Sequence, residues 1–257
     1  MEYVRRITQK EAVAESGREV SLSSGPVVYT HTRRINVPAE TFKNNRVITG
    51  EDDDGANTAY KMLRTQILHR MRAHQWRSLA ITSPGEGEGK TLTAINLAAS
   101  LARDVNHTVL LVDLDLRRPS VAKYFGYTPS FGLDDYLLDN VPLPETLFNP
   151  GIERLVVLPT RRSLLSSSEL LSSPSMQHLA DELRERYPER LVIFDMPPIL
   201  AADDLLAFSP HLDAVLLVAR EGKTRKADLQ RAMEMLKVVN VVGTMLNQVR
   251  DQDAQRY

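Results

Sequence analysis

The chain has 257 residues, enough for one sizeable core or two small domains. Its 42% hydrophobic and 25% charged residues are ordinary for a globular protein, and a formal net charge of −1 excludes an overall basic field drawing it to nucleic acid or an anionic membrane. The lack of cysteine excludes a disulfide framework and thiolate metal sites, and suits the cytoplasm.

The start, Met1-Glu2-Tyr3-Val4-Arg5-Arg6, runs into mixed polar sequence without an apolar h-region, so no secretory signal is expected. No run approaches the roughly 20 apolar residues that span a bilayer. Residues 1–55 show no sustained period and read as a flexible or loosely docked arm, with one short strand at Val27-Val28-Tyr29-Thr30. The acidic run Glu51-Asp52-Asp53-Asp54 reads as a solvated lead-in to a helix on which Tyr60, Leu63, Ile67 and Met71 form the apolar stripe.

From Arg77 strands and helices alternate. Apolar strands are expected at Ser78–Thr82, Thr108–Val112, Leu155–Leu158, Leu191–Phe194, Ala214–Ala219 and Val241–Leu246. Between them, Ile95, Ala98, Ala99 and Ala102 mark one helix face; Met176, Leu179, Ala180 and Leu183 a second; Leu229, Ala232, Met233 and Leu236 a third. Unbroken apolar strands separated by amphipathic helices predict an α/β fold: a doubly wound, mostly parallel sheet with helices on both faces. The division is an arm (1–55), an α/β domain (56–250) and a short tail (251–257).

Ligands of such sheets gather at the C-terminal strand ends. The first of those ends carries Ser83-Pro84-Gly85-Glu86-Gly87-Glu88-Gly89-Lys90-Thr91, between a strand and a helix. Gly85, Gly87 and Gly89 let the backbone curl so that N–H groups face phosphate oxygens, and the helix adds its positive end. Lys90 is placed to reach the β- and γ-phosphates and Thr91 to bind Mg²⁺. Pro84 stands where the general P-loop pattern has glycine. The nucleotide set is Gly85, Glu86, Gly87, Glu88, Gly89, Lys90, Thr91 and Leu92, with ATP and Mg²⁺ as cofactors.

Two further strand ends carry acids. Val109-Leu110-Leu111-Val112 runs into Asp113-Leu114-Asp115-Leu116-Arg117, where alternation puts Asp113 and Asp115 on one side. Val192-Ile193-Phe194 ends in Asp195-Met196-Pro197-Pro198, which suits the Walker B role. Lys90, Asp113, Asp115 and Asp195 form the candidate catalytic group.

The set Gly-Glu-Gly-Lys-Thr, Leu-Val-Asp-Leu-Asp-Leu-Arg-Arg-Pro and Phe-Asp-Met-Pro-Pro resembles the bacterial tyrosine kinases (BY-kinases) of capsule and exopolysaccharide synthesis. The resemblance runs from Asn57 to Val249 and includes Glu169-Leu170-Leu171-Ser172-Ser173-Pro174 and Gly243-Thr244-Met245-Leu246-Asn247. It implies an ATP-dependent protein-tyrosine (auto)kinase that regulates polysaccharide synthesis and export. Asp113 and Asp195 would help hold Mg²⁺, Asp115 would orient or deprotonate a tyrosine hydroxyl, and Asn247 would contact adenine or serve only as a strand-end turn. Arg117 would neutralise phosphate charge or pair with a nearby carboxylate. The resemblance further implies a membrane-bound polysaccharide co-polymerase as activator, which would hold a cytoplasmic chain at the inner face of the membrane. Two features depart from the family: the tail has one tyrosine, Tyr257, in place of a cluster, and its oligomerising Glu-x-x-Arg-x-x-Arg is matched by Thr58, Lys61 and Arg64. A homo-oligomer is left open.

Two other readings compete. One is an ATP-binding regulatory subunit or ATPase switch of the polysaccharide machinery without kinase activity. The other is a dimeric ATPase of the Min and Par type, against which stands Gly85 in place of that class's signature lysine. A nucleic-acid module is the least favoured reading, since the basic residues form no stripe and aromatics are sparse at 6%. The histidines lack metal-ligand spacing, and Arg161-Arg162 with Ser163–Ser168 reads as a surface loop.

Overall fold

The computed structural model describes residues 32–50, 55–185 and 189–249. The short strand at Val27–Thr30, the acidic run Glu51–Asp54 and the tail with Tyr257 lie outside the described residues. The strands are β1 (Arg33–Arg34), β2 (Ser78–Thr82), β3 (Thr108–Asp113), β4 (Phe148–Asn149), β5 (Leu155–Leu158), β6 (Arg190–Asp195), β7 (Ala214–Arg220) and β8 (Val241–Asn247). The α-helices are α1 (Ala39–Asn44), α2 (Gly55–His74), α3 (Lys90–Leu101), α4 (Val121–Tyr124), α5 (Leu133–Asp139), α6 (Leu143–Thr146), α7 (Ser167–Leu171), α8 (Pro174–Glu185), α9 (Asp204–Phe208) and α10 (Lys226–Met235).

The strands form one sheet in the order β1-β4-β5-β3-β6-β2-β7-β8. All neighbours run parallel except β4 and β5. The central strands are apolar between their end residues because both faces are covered, and their side chains alternate between two cores. Leu79, Ile81, Val109, Leu111, Leu191 and Ile193 enter the core beneath α2 and α3. Ala80, Leu110, Val112, Val192 and Phe194 enter the opposite core, with Leu179, Phe208 and Leu236. All six expected strands are present; β1 and β4, two residues each, carry no period to read. Met233, expected on an inward stripe, is exposed, while Ala232 and Leu236 take the buried positions.

The expectation of an arm to residue 55 fails for residues 32–50. β1 pairs with β4, and Val37, Phe42, Val47 and Ile48 are buried in the core shared with α3. Phe42 meets the edge of Phe125 with centroids 6.3 Å apart. Asn96 on α3 fastens the segment: its Oδ1 accepts from Ile48 N at 2.9 Å and its Nδ2 donates to Arg46 O at 3.0 Å. This segment therefore packs against the helix whose first turn carries Lys90.

Candidate nucleotide and phosphoryl-transfer site

Parallel pairing places the motifs side by side. Asp113 is the register partner of Asp195, and Asp195 is also paired with Ile81, two residues before the phosphate loop. The chain after β6 is tied to the chain after β2: Met196 N donates to Ile81 O, Ile199 N to Ser83 O, and Thr82 Oγ1 to Pro197 O at 2.7 Å. Three segments distant in sequence thus share one edge.

Lys90 lies among the carboxylates, with Nζ 2.8 Å from Asp115 Oδ2 and 3.3 Å from Asp195 Oδ1. The Thr91 hydroxyl donates to Asp195 Oδ2 at 2.7 Å. Burial works against the Lys90 ammonium, but Asp195 and Asp115 outweigh it and hold its pKa above the ordinary value. Burial also raises Asp195, opposed by Lys90 and the Thr91 hydroxyl. Burial, with Asp195 beside it, pushes Asp113 up to about 8.

The two acids of the Asp-x-Asp segment divide their work. β3 ends at Asp113, so extended alternation does not carry through to Asp115. Asp113 is fully buried and accepts from the backbone N–H groups of Ser120 and Val121, both at 2.9 Å, and of Asp115 at 3.3 Å. It fixes the turn that carries Asp115. Asp115 lines the cleft of about 350 Å³ together with Glu86, Gly87, Lys90, Thr91, Arg117 and Arg118. Pro197, Pro198, Ala201 and Ala202 supply an apolar wall. Asp113 and Asp195 sit beneath that lining.

In the phosphate loop, Gly87 and Gly89 have φ of +68° and +94°, the left-handed region where side chains are strained. Gly85 has no such φ, and a Cβ there would come no nearer than 3.6 Å to Glu88, so its expected backbone role is not required. The Glu88 carboxylate turns under the loop, accepting from Gly85 N at 3.1 Å and from the Thr224 hydroxyl at 2.6 Å. Leu92 is half-buried in the first turn of α3 and does not line the cleft. Asn247 braces the loop: its Nδ2 donates to Glu88 O at 2.9 Å and would lie 2.0 Å from a Cβ on Gly89.

Sequence reasoning missed the basic cover supplied by the last residue of β7 and the segment after it. Lys223 Nζ donates to Glu86 O at 2.5 Å and Arg220 Nη1 to Gly87 O at 3.2 Å. Arg118 pairs with the Glu86 carboxylate at 2.5 Å. Neither β7's place beside β2 nor these contacts leave a local signal. Arg161 and Arg162, expected in a surface loop, are clamped to Asp134 and Asp135, which are buried at the start of α5. Beyond them Ser163 Oγ donates to Arg117 O, Leu164 N to Leu116 O, and Thr160 Oγ1 to Asp113 O, so this loop supports the turn that carries Asp115.

Among the described residues no cluster of three His, Cys, Asp or Glu could hold a metal unaided. The donor set still fits Mg²⁺, which takes one or two protein oxygens plus phosphates and water. Thr91 Oγ1 and the Asp195 carboxylate stand 2.7 Å apart beside the loop. Asp113, raised in pKa by burial and by Asp195, and Asp195, raised by burial and by Asp115, both gain from an added cation.

The sheet order, the strand–loop–helix with Lys90 and Thr91, and the acid at the next strand end define a P-loop nucleotide-binding protein. Residues 79–257 match the CobQ/CobB/MinD/ParA nucleotide binding domain. The tyrosine-protein kinase YwqD of Bacillus subtilis is 36% identical over 190 residues, covering 73% of this chain and 79% of that protein. The tyrosine-protein kinase ptk of Acinetobacter johnsonii is 29% identical over 86% of this chain, which spans only 29% of that longer relative. The kinase domain of the Escherichia coli tyrosine kinase ETK superposes with a TM-score of 0.74 at 27% identity, covering 86% of this chain and 92% of that domain. The chain belongs to the CobQ/CobB/MinD/ParA nucleotide-binding family and, within it, to the bacterial tyrosine kinases.

Proposed function

We propose that this chain is a Mg²⁺–ATP-dependent protein-tyrosine kinase that phosphorylates itself or a partner and thereby regulates capsule or exopolysaccharide synthesis and export. The single observation that carries the reading is Lys90 held between Asp115 and Asp195 at the mouth of a glycine loop, with Thr91 bonded to the same Asp195. A generic nucleotide site needs the loop, the lysine and Asp195; Asp115 on the cleft wall is an additional acid facing the position of the reacting phosphate.

The loop N–H groups and the α3 terminus bind the phosphates, and Lys90 leaves its carboxylates to meet the β- and γ-oxygens. Thr91 and Asp195 would hold Mg²⁺, with Asp113 reinforcing them electrostatically from below. When bound, the ion neutralises charge on the transferring group. Release of Lys90 frees Asp115 to accept the proton of an incoming tyrosine hydroxyl, whose ring packs on Pro197, Pro198, Ala201 and Ala202. Asn247, beside Glu88 and Gly89, borders the adenine. No described helix is long and apolar enough to cross a membrane. A membrane-bound polysaccharide co-polymerase is the activating partner we propose, placing the chain at the inner membrane face.

The test is phosphotyrosine formation by purified chain with Mg²⁺–ATP, alone and with a candidate membrane activator. Wild type is expected to label tyrosine, Lys90→Met to bind no ATP, and Asp115→Asn to bind ATP but label at least 100-fold less, roughly the weight of a lost general base. ATP turnover without any phosphotyrosine would contradict the kinase and leave a nucleotide switch.

A further inference from the structure

Behind Arg117 lies a chain of buried groups that nucleotide binding alone does not call for. Arg117 follows β3 and lines the cleft with its side chain 41% exposed. Its Nε donates to Ser167 Oγ at 2.8 Å, and Ser167 Oγ donates to Asp204 Oδ1 at 2.9 Å. The Nη2 atom lies 3.6 Å from Asp204 Oδ1 and 3.8 Å from Asp203 Oδ1. Ser167 opens α7 and Asp204 opens α9, and both are fully buried where those helices pack together.

Asp204 is unusually placed for a residue with no further task. Its Oδ2 is buried without a hydrogen-bond partner, and burial raises its pKa despite Ser167 and Arg117. A buried acid with one oxygen unmet carries a desolvation cost that a neutral residue would avoid. In return it pins a half-exposed arginine that would otherwise sample many rotamers. The next guanidinium, Arg118, is drawn the other way, onto Glu86 of the phosphate loop. The two consecutive arginines thus bracket the cleft that holds Lys90.

We propose that Asp204 and Ser167 are positioning residues that hold the Arg117 guanidinium on the cleft wall, where it takes an oxygen of the γ-phosphoryl group. The inference rests on the nucleotide reading above and deepens it: Arg117 acts as a γ-phosphate sensor, and α7 and α9 set its aim. Preorganised cations of this kind act where charge develops during transfer.

Calorimetric titration of the purified chain with Mg²⁺–ATPγS and with Mg²⁺–ADP tests it, in parallel with thermal unfolding. Arg117→Gln is expected to lower the preference for the triphosphate about 10-fold, the weight of one charge-assisted hydrogen bond. Ser167→Ala and Asp204→Asn should lower it similarly, and the Arg117→Gln/Ser167→Ala double variant no further than the worse single. Ser167→Thr, which keeps the hydroxyl, should retain it. Variants that melt earlier yet keep the wild-type ratio would reduce Ser167 and Asp204 to a structural role and overturn the relay. An unchanged ratio in Arg117→Gln would overturn it as well, with the kinase reading intact. Folded wild type that binds neither nucleotide would overturn both.

Discussion

Lys90 is the residue on which the site's electrostatics turn. Two carboxylates contact it and a third, Asp113, is close enough to raise its pKa. Lys90→Met therefore leaves buried acids uncompensated, and we expect a loss of about 3 kcal/mol in urea unfolding at neutral pH. The Asp113–Asp195 pair gives the sign of the pH dependence. A carboxyl whose folded pKa is raised binds a proton more tightly when folded, so its stabilising contribution is full below its unfolded value and is lost as pH rises through its folded value. Stability should fall from about pH 4, the unfolded aspartate value, towards the raised value of about 8. Melting temperatures across that range should show the decline, and Asp113→Asn should flatten it. The acids themselves were legible in the sequence, each at the end of an apolar run. Their division of labour was not, because Asp113's commitment to Ser120 and Val121 depends on where β3 stops.

Among the elements, the phosphate loop was the easiest to read, since its glycines, Lys90 and Thr91 are contiguous between a strand and a helix. What encloses it was hidden. Arg220, Lys223, Thr224 and Asn247 reach it only because β7 lies beside β2 and β8 beside β7 in the sheet, a fact set by tertiary order. The glycines are accordingly unequal, and the difference is measurable. Gly89→Ala combines a left-handed φ with a Cβ 2.0 Å from Asn247, so nucleotide affinity should drop at least 10-fold with about 1–3 kcal/mol of lost stability. Gly85→Ala meets only ordinary contacts and should change melting by little more than its backbone entropy. Equal effects of the two in thermal unfolding and calorimetry would show that the loop is not held as described.

For the whole molecule, hydrophobic periodicity alone gave the doubly wound sheet, because a strand buried on both faces must be apolar throughout. It could not give residues 32–50, whose two-residue strand and six-residue helix are too short to show a period. That segment is nonetheless part of the core against α3. Phe42→Ala should cost about 3–4 kcal/mol in denaturant unfolding, as for a buried aromatic, whereas a surface arm would tolerate it. The whole arrangement brings three strand ends to one place, where the proposed function requires a single Mg²⁺-bound triphosphate to be held. Calorimetric titration of the full chain with an ATP analogue, with and without Mg²⁺, measures this most directly. One nucleotide should bind per chain, more tightly with the metal, and not detectably to Lys90→Met that remains folded. Folded wild type that takes up no nucleotide, or Lys90→Met that binds it as well as wild type, would contradict the account.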